Sequence, residues 1–120
     1  MIIRHETPAD IPAIYIVNKR AFRERDAEPR LVDAIRASDA FLPGLSLVAE
    51  IDGQVVGHIL FSRIHIATVN GDVPAIALAP MAVLPEYHGE GIGSELVRRG
   101  LEACQELGHG IVIVLGHPSF

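Results

Sequence analysis

The residues best equipped for chemistry sit in one stretch, Ala79-Pro80-Met81-Ala82-Val83-Leu84-Pro85-Glu86-Tyr87-His88-Gly89-Glu90-Gly91-Ile92-Gly93-Ser94. Glycines at 89, 91 and 93 allow backbone dihedrals closed to other residues and leave main-chain N–H groups uncovered. A helix beginning at about Ile92 adds its own unpaired first-turn N–H groups and the positive end of its dipole. The chemistry this predicts is capture of a phosphate-like anion.

Two other glycine-rich loops fail on spacing. A P-loop needs Lys and then Ser or Thr after its last glycine, whereas Gly93 is followed by Ser94 and Glu95. A dinucleotide fingerprint counted from Gly89 needs glycine where Ser94 stands. The bland alternative is a loop and helix start with no ligand. Clustered glycines give up chain entropy without adding packing, which favours the anion-binding reading.

The segment His88-Gly89-Glu90-Gly91-Ile92-Gly93 resembles the acetyl-CoA signature of the GNAT superfamily of N-acetyltransferases, with His88 where that family usually has Gln or Arg. The preceding Leu78 to Tyr87 is similar to the strand and loop of one bacterial branch of predicted acetyltransferases. The resemblance implies an α/β (α+β) fold: a mixed, mostly antiparallel sheet with one splayed parallel pair and flanking helices. It also implies direct transfer of an acetyl group from acetyl-CoA to a primary amine, on a small molecule or a peptide. Met81, Ala82, Val83, His88, Gly89, Glu90, Gly91, Ile92, Gly93 and Ser94 are then the cosubstrate-binding residues, and a backbone N–H near Met81 to Val83 meets the thioester oxyanion.

The catalytic residues stay open. An amine must be neutral to attack, so a base or water chain has to take its proton. No acidic residue lies on the strand Ala75 to Val83, where many members of the superfamily place their base. Glu50, His58 and His65 are candidates by location only, and a surface or structural role is the better reading of each. Tyr87, beside the loop, reads as a packing aromatic that could instead hydrogen-bond CoA. If His88 touches phosphate, affinity falls as pH rises through the imidazole range, since only the protonated ring carries two donors. The histidines show no metal-ligand spacing such as H-E-x-x-H, so no metal is expected.

The elements that must position these residues can be read along the chain. Met1 to His5 predicts a strand; Thr7, Pro8 and Asp10 predict a helix start, and Ile11, Ile14, Val17, Ala21 and Phe22 recur at helical spacing. After the charged link Arg23 to Glu28, a second helix is expected from Pro29 to about Ala37, and then a loop, Ser38 to Gly44. Leu45 to Ile51 and Gln54 to Ile66 read as a hairpin around Asp52-Gly53, with a bulge near Phe61 where alternation breaks. Ala75 to Val83 is the next strand, unpaired or bulged at Pro80, because proline cannot donate a ladder hydrogen bond. In the superfamily this strand parts from its parallel neighbour, and pantetheine lies in the gap.

After the glycine turn, Ile92, Leu96, Val97, Leu101, Cys104 and Leu107 mark one helix face, and Gly100 would let that helix press on the sheet. Ile111 to Leu115 is a continuous apolar run, as expected of a strand covered on both sides. Beyond it, Gly116 to Phe120 resembles a loop that in this branch leads to a further helix and closing strands. Residues 1–120 therefore read as one domain, C-terminally incomplete, lacking the tyrosine-bearing helix that often protonates the departing thiolate. A bare apolar edge at the last strand predicts a homodimer or a strand-completing partner.

Composition narrows the function classes. The 120 residues carry a net charge of −5, which argues against a nucleic-acid or anionic-membrane surface. No apolar run approaches a membrane span, and the N-terminus has no signal-peptide pattern, so a cytoplasmic protein is expected. Cys104 alone cannot form an internal disulfide and reads as a core residue. Arg98 and Arg99 are the only cations the sequence places near the anion loop, which must therefore rely on backbone dipoles. Two other readings stand beside an enzyme: a non-catalytic CoA-binding or interaction module, and a dimerisation domain without ligand.

Overall fold

The computed structural model describes residues 1–114; Leu115 and the expected loop Gly116 to Phe120 lie outside the described residues. In chain order the elements are β1 (Ile2–His5), a 3-10 turn (Pro8–Asp10), α1 (Ile11–Ala21), α2 (Ala27–Arg36), β2 (Phe41–Ile51), β3 (Gln54–Thr68), β4 (Gly71–Val83), a second 3-10 turn (Pro85–Tyr87), α3 (Ile92–Glu106) and β5 (Val112–Val114). The sheet order follows the chain, β1-β2-β3-β4-β5. Every pairing is antiparallel except β4 with β5, which is parallel. This is the mixed α/β fold, with one parallel pair, that the glycine segment implied.

Local chemistry accounts for most boundaries. Asp10 reaches back to the Thr7 N–H at 2.7 Å, closing the entry to α1. Asp52 (φ 50°) and Gly53 (φ 78°) take the two left-handed positions that a tight hairpin turn requires. α2 begins at Ala27 rather than Pro29, because proline in a first turn forfeits no intrahelical bond. The expected loop Ser38 to Gly44 is strand from Phe41 onward, since Phe41 and Leu42 pack against the core while a register shift absorbs Pro43 and Gly44. The β3–β4 hairpin also runs past its expected ends, to Thr68 and Gly71, carried by its ladder rather than by burial.

Alternation along β3 sends neighbours to opposite faces. His58 meets Asn18 of α1, whereas a side chain at Gly57 would meet Leu96 and Ile92 of α3. Thus α1 covers one face and α3 the other. The buried line of α3 is Ile92, Leu96, Gly100 and Cys104. Leu101 and Leu107, expected on that face, are 39% and 57% exposed, because they fall off the i, i+4 row that meets the sheet. β5 differs from expectation too: Val114 is 67% and Ile111 42% exposed, and no further strand flanks β5 among the described residues.

Gly100 is where α3 lies closest to the sheet, since an added Cβ would overlap the ring of fully buried Phe61. Alanine there gains about 1 kcal/mol of helix propensity but forces overpacking worth roughly 1–3 kcal/mol. Overlap this deep places it at the upper end. We expect Gly100→Ala to lower unfolding free energy by about 2 kcal/mol in urea titration, and Phe61→Leu in the same chain to recover part of the loss. Equal midpoints for wild type and Gly100→Ala would contradict the packing.

Candidate active site

The site begins beyond the part of β4 that pairs with β5. Among the described residues, the β4–β5 pairing covers Ile76, Ala77 and Leu78 against Val112, Ile113 and Val114. On its other edge β4 stays with β3, yet Leu60 alone faces both Ala79 and Pro80, a bulge at the proline. Met81, Ala82 and Val83 therefore keep β3 on one side and have no strand on the other among the described residues. The bulge expected near Phe61 and the break expected at Pro80 are the same irregularity.

The chain then runs through the 3-10 turn Pro85–Tyr87 into the glycine loop. Gly89 (φ 81°) and Gly91 (φ 80°) both take the left-handed conformation, and Gly91 is the residue before α3. The first bond that closes α3 runs from the Glu95 N–H to the Gly91 carbonyl at 3.1 Å. Among the described residues, no backbone or side-chain acceptor takes the N–H groups of 89–94. These are orphan donors at the positive end of a 15-residue helix.

Two contacts hold the loop in place. The Nε2 of His88 lies 2.8 Å from the Val83 carbonyl, so that nitrogen carries the proton and donates it. A neutral His88 thus has no N–H left for an anion; only the protonated ring offers a second. Arg20 Nη2, at the end of α1, donates to Glu86 Oε1 at 2.6 Å and ties the 3-10 turn to the helix layer.

Met81, Ala82, Val83, His88, Gly89, Gly91, Ile92, Gly93 and Ser94 come together on one wall of an open cleft of about 960 Å³. Glu90 is exposed and does not line it. The facing wall is one that sequence reasoning missed: Ala21, Phe22, Arg23, Arg25 and Glu28, from the end of α1 to the first turn of α2. Arg23 (φ 58°) and Glu24 (φ 61°) turn the chain toward the cleft through consecutive left-handed residues, and neither residue type signals such a turn. The cations lining the cleft are these two arginines rather than Arg98 and Arg99. Arg98 pairs with Glu95 and Glu102, and both Arg98 and Arg99 border a separate groove beside Arg4.

None of Glu50, His58 and His65 lines the cleft. Glu50 accepts from Arg4 at 3.0 Å, and Arg4 also grips Asp10 through two bonds of 2.7 and 3.0 Å. That pairing holds the Asp10 carboxyl well below the usual carboxylate range, with the Arg4 bond as the main cause. His65 is exposed on the β3–β4 arm, opposite Pro74. His58 is fully buried: Nδ1 accepts from Asn18 Nδ2 (3.1 Å), and Nε2 donates to Ser46 Oγ (3.0 Å). Ser46 in turn donates to Glu6, which pairs with Arg36. Burial, helped by the Arg36 charge, pushes the His58 pKa down to about 3. Cys104 is buried and its thiol is pushed up by desolvation.

Residues 11–119 match the acetyltransferase (GNAT) family. The uncharacterized N-acetyltransferase YhbS of Escherichia coli is 41% identical over 120 residues, covering 99% of this chain and 69% of that protein. A GNAT family acetyltransferase from Brucella melitensis, solved with acetyl-CoA, superposes with a TM-score of 0.88 at 41% identity, over 99% of this chain and 77% of the other. YhbS itself, solved with CoA, gives a TM-score of 0.86 at 38% identity, over 99% of this chain and 64% of that one.

Proposed function

Because the chain belongs to the acetyltransferase (GNAT) family, we propose that it transfers an acetyl group from acetyl-CoA directly to a primary amine. The observation that carries this is the continuity of unused donors among the described residues: the edge of Met81–Val83, without a strand partner there, runs straight into the uncapped N–H groups of 89–94. An amide-bearing arm ending in a pyrophosphate matches both halves. The arm can pair with the strand edge as a surrogate strand, and the diphosphate can sit on the helix start. Arg23 and Arg25 supply local positive potential to a chain whose net charge is −5.

Within that frame the residues have separable tasks. Met81 to Val83 bind the arm and present a main-chain N–H to the oxygen that gains charge as the thioester carbonyl becomes tetrahedral. His88 fixes the loop against the end of β4 by its bond to Val83. Phe22, Met81 and Val97 make the cleft walls apolar, which strengthens polar interactions inside. The proposal includes a cytoplasmic setting, in keeping with the lone unpaired Cys104. Among the described residues, no helix is long and apolar enough to cross a membrane.

Thiol release from acetyl-CoA by the full-length protein, with a panel of primary amines, tests the reading. Release that depends on an amine is the expected result. CoA binding without release for any amine would replace it with the non-catalytic module, a reading favoured by the distance of Glu50, His58 and His65 from the cleft. No CoA binding at all would leave only a structural domain.

A further inference from the structure

The cleft contains one carboxylate, and its position is anomalous. Glu28 stands in the first turn of α2 and lines the wall opposite Met81–Val83. Its Oε2 is shielded from solvent and has no hydrogen-bond partner among the described residues. Arg23 and Arg25 share that wall, yet no ion pair joins either of them to Glu28. A buried carboxylate oxygen without a donor is costly to a fold and calls for a partner that arrives from outside.

We propose that Glu28 is the carboxylate that binds the acceptor ammonium and takes its proton. This rests on the acetyltransferase reading and deepens it: the acceptor class becomes primary amines that are cationic in water. An ammonium N–H is the donor this carboxylate lacks, and the Glu28 side chain has to rotate to turn an oxygen into the cleft to receive it, since Oε2 as it stands is shielded. β4 carries no acidic residue, and Glu50, His58 and His65 lie elsewhere, so the proton has no other carboxylate to go to in the cleft.

The step balances. Glu28 accepts one proton from the ammonium and releases the nitrogen lone pair, which forms the C–N bond to the acetyl carbon. The C–S bond breaks with its electron pair on sulfur. The second N–H proton neutralises the departing thiolate, and the proton held by Glu28 passes to solvent.

The test compares wild type, Glu28→Gln and Arg25→Ala in the full-length protein. Glu28→Gln should lower kcat/KM for a cationic alkylamine by 100-fold or more, the scale of a lost general base, with CoA affinity by titration calorimetry within twofold of wild type. The defect should shrink for methoxyamine, which is neutral at pH 7 and needs no proton removed before it attacks. A merely structural Glu28 would impair both nucleophiles alike. Unchanged kcat/KM in Glu28→Gln overturns the assignment while the acetyltransferase reading stands. So does an equal, nucleophile-independent loss in Glu28→Gln and Arg25→Ala, since Glu28 would then only be serving Arg25. If wild type releases no thiol with any amine, the enzymatic reading fails on its own, and Glu28 is read from calorimetry of 1,4-diaminobutane against the CoA-loaded protein. Binding that is lost in Glu28→Gln supports the ammonium site, and no binding to wild type, or equal binding to both, overturns it.

Discussion

Lowering the pH from about 7 to about 3.5 should remove on the order of 4 kcal/mol from the folding free energy through His58 alone. The imidazole is neutral in the fold because burial drives its pKa from 6.5 to about 3. The unfolded chain therefore binds a proton that the folded chain refuses. His58 contributes its full stability above the unfolded pKa, and that contribution is lost steadily as pH falls toward the folded one. Protonation would also set a new N–H at Nδ1 against the Asn18 amide, whose two N–H groups already serve Ile14 and His58. A domain this size is stable by about 5–15 kcal/mol, so the loss is a large share of the total.

Asp10 acts lower on the pH scale and in the same direction. Its carboxyl is held below the ordinary 3.8, so its stability is present above that value and fades as pH falls through the folded pKa. Loss of stability in the upper part of the range between pH 6.5 and 4.5 thus belongs to His58, because Glu86 and Glu95, also held below their ordinary 4.5, add to it only toward the lower end. Urea titrations across that window should show a slope in wild type that is flattened in His58→Gln. A His58 ring titrating near its ordinary value by NMR in the folded protein would remove the explanation, whether or not the variant folds.

The second large effect concerns Gly91. At φ 80° a β-branched side chain is disfavoured by at least the roughly 1–2 kcal/mol that separates left- from right-handed backbone. Nothing lies within 4 Å of an added Cβ, so the penalty is purely conformational. Relief of that strain by rotation about Gly91 would reorient the unpaired N–H groups of the loop. Gly91→Val is expected to weaken CoA binding about tenfold or more by calorimetry. Gly53→Ala, with φ 78° in the distant hairpin turn, is the control: it should lose stability without any change in CoA affinity. Matching CoA affinities in wild type and Gly91→Val would sink the proposed role of the loop.

Short-range signals were legible in advance because their causes are short-range. The Asp52-Gly53 turn, the break at Pro80, the start of α3 at Ile92 and the pressing of α3 on the sheet at Gly100 each follow from what one or two residues forbid or permit. Leu101 and Leu107 misled because helical spacing gives a face but not which rows of it the sheet will meet. Phe41 to Gly44 misled because Pro and Gly look like a loop until a partner strand is present.

The chain alone determined that a glycine turn opens α3 behind a strand broken by proline, since both depend on local backbone freedom. Only tertiary structure decided what stands across from that turn. Arg23, Arg25 and Glu28 lie more than fifty residues before Met81, and nothing in their local sequence marks them as cleft residues. His58 and Glu50, chosen from strand position, were withdrawn into a core network and an ion-pair cluster by partners contributed from α1, β1 and the turn after it. Burial and facing partners set what a titratable side chain can do, and the packing of distant segments creates both.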